Sequence, residues 1–154
     1  MTAAVAAATA VVLAIAVWLA WCRAHLVTVV VTGSSMAPAL SAHDRVVVRR
    51  VPGHRLAAGQ VVVFAAPFLE AGSWVWRPPG DLAAAWSIKR IVAVAGDPVP
   101  AAVAWASGAV PAGSIVVLGD NRAASADSRL FGHVPIECVL GYVMNASPRA
   151  FPAR

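Results

Sequence analysis

Trp86-Ser87-Ile88-Lys89-Arg90-Ile91-Val92-Ala93-Val94 is a nine-residue run without glycine or proline, rich in β-branched side chains. Such a run reads as a β-strand. Successive side chains of a strand face opposite ways, so Lys89 shares a side with Ile91 and Ala93. Both sides of the run are apolar, and burial of the lysine is expected whichever side meets the core. Burial disfavours an ammonium and lowers a lysine pKa from its usual value of about 10.4. The competing reading is a surface lysine whose stem lies along apolar neighbours. Lys89 also stands alone in composition: of 12 cationic residues, all the others are arginine.

Outward from this run the same texture recurs. Leu26–Val31, Arg45–Arg49, Gln60–Phe64, Ser114–Leu118 and Val139–Met144 are short β-branched stretches punctuated by Gly, Pro and Asp. Several short strands with turns between them predict a mainly β fold, an antiparallel barrel or sandwich. Residues 65–85 read as a long connection containing Trp74, Trp76 and Pro78-Pro79, resting on a membrane surface or packing on the sheet. No internal repeat and no low-complexity linker interrupts the pattern.

The N-terminal segment differs. No charged side chain occurs from Met1 to Cys22, and Ala3–Trp21 is apolar apart from Thr9. About 20 such residues make a helix long enough for a ~30 Å hydrocarbon core. Trp18 and Trp21 are placed as interfacial anchors beside Arg23. A cleaved signal peptide needs a basic start and a small-residue cut site. MTAA has no basic side chain, and Trp21-Cys22-Arg23-Ala24 is a poor site, so an uncleaved anchor is expected. The expected division is an anchor over 1–22 and a second, mainly β domain over 23–154. Arg23, the nearest charge, weakly favours a cytoplasmic C-terminal domain.

Composition excludes other classes. The 154 residues are 60% hydrophobic and 12% charged, which rules out disorder, a coiled coil and a collagen-like fibre. The net charge of +5 comes from scattered arginines with no nucleic-acid-binding signature, so anionic lipid is the better-suited partner. Two cysteines, Cys22 and Cys138, make neither a zinc site nor a disulfide framework, and two unpaired thiols are expected.

Two further segments carry candidate chemistry. Gly33-Ser34-Ser35-Met36-Ala37-Pro38 is a small-residue turn after the first strand, able to present a hydroxyl and unpaired N–H groups. It lacks the glycine two residues after the serine that a nucleophile elbow requires. A serine needs a base; His25, His43, His54 and His133 sit in loop-like contexts, whereas a neutral Lys89 is a workable alternative. The segment Gly119–Gly132, GDNRAASADSRLFG, taken alone reads as a solvated loop.

Together these segments resemble the type I signal peptidase family of membrane-bound Ser/Lys endopeptidases. Ser35-Met36-Ala37-Pro38 matches its S-M-x-P motif. Lys89–Asp97 matches K-R-(V/I)-(V/I)-G-x-P-G-D, with Ala93 and Ala95 replacing a glycine and a proline, so a less kinked strand end is expected. Gly119–Gly132 matches G-D-N-R-x-x-S-x-D-S-R-x-x-G in full. Gly59–Phe64 matches G-D-x-V-x-F, with Gln60 in place of aspartate. Gly33 stands where some members have a serine that helps hold the oxyanion, leaving that task to the Ser35 N–H. Residues 98–118 are too few for the large accessory domain of some members.

The resemblance implies a membrane-anchored endopeptidase that removes signal peptides from exported preproteins after small residues. Ser35 is the implied nucleophile and Lys89 the base. Ser125 is implied to hydrogen-bond Lys89, Asp127 and Arg129 to brace their loop, and Asp120 with Arg122 to add a second brace. Met36 and Ile88 are the implied pocket lining. No metal or cofactor and no nucleic acid is implied; the partners are preproteins and the lipid bilayer. The family also implies a catalytic domain on the extracytoplasmic side of the cytoplasmic membrane, against the bias of Arg23. The alternatives are a self-cleaving repressor-like Ser/Lys protein, which the apolar helix disfavours, a binding-only module, which the intact Ser35/Lys89 pair disfavours, and a relative dedicated to one exported peptide.

Overall fold

A computed structural model describes residues 2–51, 55–76, 85–103 and 108–146. Helix α1 spans Thr2–His25 and passes without a linker into strand β1, Leu26–Val30. The chain continues through β2 (Arg45–Arg49), β3 (Val61–Ala65), β4 (Phe68–Glu70), β5 (Ser73–Val75), β6 (Trp86–Val94) and β7 (Ser114–Leu118). A short helix α2 (Ser128–Phe131), β8 (Val134–Pro135) and β9 (Val139–Val143) follow. Seven strands form one sheet in the order β1-β2-β9-β3-β6-β7-β8, and β4-β5 make a separate hairpin; every pairing is antiparallel.

The mainly β reading therefore stands, with differences of detail. The first strand stops at Val30, the third runs from Val61 to Ala65, and the last ends at Val143. The β4-β5 hairpin lies inside the stretch read as a connection, and β8 was not anticipated. These elements have two or three residues each, too short for alternation to register. Trp76 is half-buried and Trp74 is 40% exposed, and both meet Phe131 edge-on, at 5.5 and 6.1 Å between ring centroids. Pro78 and Pro79 lie outside the described residues.

Continuous apolar runs arise because the sheet carries a core on each face. Val61 and Val63 of β3 pack with Val31, Met36, Val46, Val48 and Val143. Val62 and Phe64, pointing the other way, pack with Ile91, Ile115, Val117 and Phe131. A strand buried on both sides has no polar alternation to show. The strand after Lys89 is irregular despite its alanines: the β6-β7 register shifts between Ile91 and Ala93. A side chain larger than glycine at 93 therefore does not straighten it.

No residue of Ala7–His25 is fully buried, and this stretch has a mean hydropathy of 1.8. By length and composition this helix can cross a membrane. Its end is fastened to the sheet by the Arg50 N–H, which donates to the His25 carbonyl at 2.8 Å. Cys22 and Cys138 are both free.

Where β2 and β9 cross, Gly141 leaves no room for a side chain: a Cβ there meets the Arg49 carbonyl. Gly141→Ala is expected to cost about 1–3 kcal/mol through overpacking, seen as a lower Tm in calorimetry of the full chain in detergent. Gly33→Ala, with open space around the new methyl, should leave Tm within about 1 °C.

Candidate active site

The turn after β1 is pinned from both ends. Val31 donates to the Asp44 carbonyl at 2.9 Å and accepts from His43 at 2.7 Å, closing the β1-β2 connection. Met36, 1% exposed, drops into the core and fixes the turn from below. Ser35 between them stays half-buried. Its carbonyl accepts from the Asn121 N–H at 2.9 Å, and the Ser34 carbonyl accepts from Asn121 Nδ2 at 3.2 Å. One asparagine of the 119–132 segment thus holds both serine carbonyls, a contact that sequence reading missed. Among the described residues the Ser35 N–H has no partner, which leaves it available to an oxyanion.

Lys89 reaches this turn from β6. Its Nζ donates to Ser35 Oγ at 2.8 Å and to the Ile88 carbonyl at 3.1 Å, and the residue is 5% exposed. Burial pushes its pKa below 10.5; the negative charge of Asp127 opposes that shift without cancelling it. Proximity, burial and a favoured neutral form are what a general base for serine needs. No described histidine nitrogen hydrogen-bonds with Ser35: His25 pairs with the Trp21 carbonyl, His43 is exposed and His54 lies outside the described residues.

The next residue does the opposite. Arg90 is fully buried and forks onto Asp120, Nε to Oδ1 at 2.9 Å and Nη2 to Oδ2 at 2.7 Å, with Nη1 donating to the Gly59 carbonyl at 2.8 Å. This corrects the expected Asp120–Arg122 brace: Asp120 belongs to Arg90, which sequence spacing could not reveal because 30 residues separate them. It also explains the Gly59–Phe64 motif. Gly59, at φ 90°, turns its carbonyl to Arg90 and its N–H to Ile91. Gln60 Oε1 accepts from the Ala57 N–H at 3.0 Å, a task within reach of an aspartate oxygen.

Asp127 and Arg129 do pair, Oδ1 to Nε at 2.8 Å and Oδ2 to Nη2 at 2.9 Å. Burial alone would raise the Asp127 pKa, but Arg129 and the Gly119 N–H outweigh it and hold the carboxyl below its usual value. Asp127 also caps α2 by accepting from the Arg129 N–H. Ser125 makes no hydrogen bond to Lys89. Its Oγ is buried without a partner, near Asp127 but outside hydrogen-bond geometry. It sits against Gly119, where a Cβ would strike both Ser125 and the Ser35 carbonyl, so glycine lets the two segments meet.

A cleft of about 440 Å³ opens beside Ser35 and Lys89. Val29, Val31, Met36, Trp86 and Ile88 supply its apolar walls. Its two long sides are open strand edges. β1 is bonded on one side by β2, and the 86–89 half of β6 is bonded by β3 alone, since β7 joins only from Arg90. A second cavity of about 250 Å³, near Val94 and Ile136, shares none of these residues. No cluster of metal-ligating side chains occurs among the described residues.

Comparison with known proteins agrees with this arrangement. The family model described as signal peptidase, peptidase S26, matches residues 2–103 and 100–146. The chain is 29% identical over 147 residues to a probable signal peptidase I-1 of Synechocystis sp., covering 80% of this chain and 70% of that protein. The chain belongs to the signal peptidase S26 family, whose members are serine peptidases.

Two adjacent residues should respond oppositely to the same substitution. Lys89→Met removes a buried amine that no carboxylate pairs with and is expected to stabilise the fold by about 1 kcal/mol. Arg90→Met strands the Asp120 carboxylate and should cost about 3–5 kcal/mol. Denaturant titration of both variants beside the wild type checks the two signs.

Proposed function

We propose that Ser35 and Lys89 form the catalytic dyad of a membrane-anchored endopeptidase that removes signal peptides after small residues. The observation that carries this reading is the 2.8 Å contact between Lys89 Nζ and Ser35 Oγ in a buried setting. Neutral Lys89 takes the hydroxyl proton as Ser35 Oγ attacks the scissile carbonyl. The Ser35 N–H faces the resulting oxyanion. Lys89 returns the proton to the leaving amine, and water then releases the acyl-enzyme by the same route. Ser125 acts as a positioning group that turns toward Lys89 when the ammonium forms. Asp127 and Arg129 hold its loop.

The substrate enters extended, adding a strand between the open edges of β1 and β6. Its residues before the cut lie against Met36 and Ile88, where a buried methionine and a half-buried isoleucine leave shallow space suited to small side chains. Helix α1 anchors the chain, and the catalytic domain lies outside the cytoplasmic membrane, where exported preproteins emerge. Ser35 is ten residues beyond the end of α1, so the nucleophile stays within about 35 Å of it.

Purified full-length protein with a preprotein substrate tests the dyad. Ser35→Ala and Lys89→Ala should each lower kcat/KM by about 1,000-fold or more, and the double variant should be scarcely worse. Losses that multiply, or activity kept in either single variant, contradict the dyad. In the wild type, kcat/KM should rise with pH as Lys89 loses its proton, through an apparent pKa below 10.5. A limb near 6.5 that moves on His133 substitution would instead assign the base to histidine.

A further inference from the structure

The corner where α1 meets the sheet concentrates features the proteolytic site does not use. Trp21 stacks on His25 with ring centroids 4.7 Å apart, and the Arg49 guanidinium lies over the Trp21 ring at 5.9 Å. Trp18, three residues earlier, falls on the same helix face and is 62% exposed. Arg50, just past the end of β2, is exposed, and its backbone N–H is bonded to the His25 carbonyl. Arg23 is exposed at the same level, about 200° around the helix from Trp21. Among the described residues no carboxylate pairs with Arg23, Arg49 or Arg50. The buried carboxylates Asp120 and Asp127 are committed to Arg90 and Arg129.

We propose that Arg49 and Arg50, beside Trp18 and Trp21, form a binding site for the headgroup of an anionic phospholipid. The inference rests on the reading of α1 as a membrane anchor. That reading fixes the occupant. Trp18 and Trp21 close the apolar stretch of the helix, which is the depth at which tryptophans meet headgroups. A phosphodiester at this depth meets the Arg49 guanidinium, held over the Trp21 ring, with exposed Arg50 next to it in the chain. Stacking on Trp21 uses one face of Arg49 and leaves its in-plane N–H donors for phosphate oxygens. The site lies at the end of β2 that pairs with the start of β1, whereas Ser35 lies beyond the far end of β1. A lipid held there would set the rotation of the sheet about α1, and with it the height of the cleft above the bilayer.

The test uses the full chain in phosphatidylcholine vesicles with and without phosphatidylglycerol. Spin-labelled lipids report which headgroup remains immobilised at the protein. Wild type should prefer labelled phosphatidylglycerol to phosphatidylcholine by about 30-fold, from roughly 1 kcal/mol for each of two arginines near an anionic surface. Arg49→Gln/Arg50→Gln should bring that ratio close to one. Arg45→Gln, at the opposite end of β2, should leave it unchanged. An unaltered ratio in the double variant, or an equal loss in Arg45→Gln, overturns the site while leaving the anchor intact. Failure of the wild type to float with either vesicle overturns the anchor itself, and the site with it.

Discussion

Arg90 and Asp120 form an ion pair whose side chains are 0% and 4% exposed, and the site hangs on it. Two charges removed from water are tolerable only with paired geometry and further hydrogen bonds. Arg90 has both, through two bonds to Asp120 and one to Gly59. The pair ties the centre of β6 to the loop after β7. That loop carries Asn121, whose two hydrogen bonds hold the carbonyls of Ser34 and Ser35. The position of the serine turn is thus set through Asn121 and Asp120 by the residue next to Lys89 in sequence.

Neighbouring cations on one strand meet opposite fates because alternation sends them to opposite faces. Arg90 finds a carboxylate; Lys89 finds a hydroxyl and a carbonyl, neither of which neutralises it. The negative charge that acts on it, Asp127, is engaged by Arg129 and offsets only part of the burial. The consequence for stability has a definite sign. A lysine whose folded pKa lies below 10.5 costs stability fully at pH below that folded value, and the cost fades as pH rises toward 10.5. The feature that suits Lys89 to basic chemistry therefore weakens the fold at neutral pH.

Much of this was legible in the sequence, for identifiable reasons. The β-branched runs gave the strands because burial on two faces made them continuous. The charge-free N-terminal stretch gave α1. Asp127 with Arg129 came from the family resemblance, because the segment taken alone reads as a solvated loop. What failed was pairing at a distance. Asp120 was assigned to Arg122, two residues on, when its partner is 30 residues earlier. Asn121 went unnoticed because its role is to touch backbone, which leaves no complementary side chain to find. The Ser125–Lys89 hydrogen bond implied by the family is not formed, and the Ser125 hydroxyl sits unpaired beside Gly119.

Lys89 is the only lysine in the chain, so selective labelling with ¹³Cε-lysine yields a single side-chain resonance. Its pH titration in the full-length protein reports the protonation state on which the account depends. A midpoint clearly below 10.5, with a downfield or upfield step attributable to one proton and shifted in Ser35→Ala, is the expected result. A midpoint at or above 10.5, unmoved by that substitution, would mean a solvated ammonium and would contradict the account.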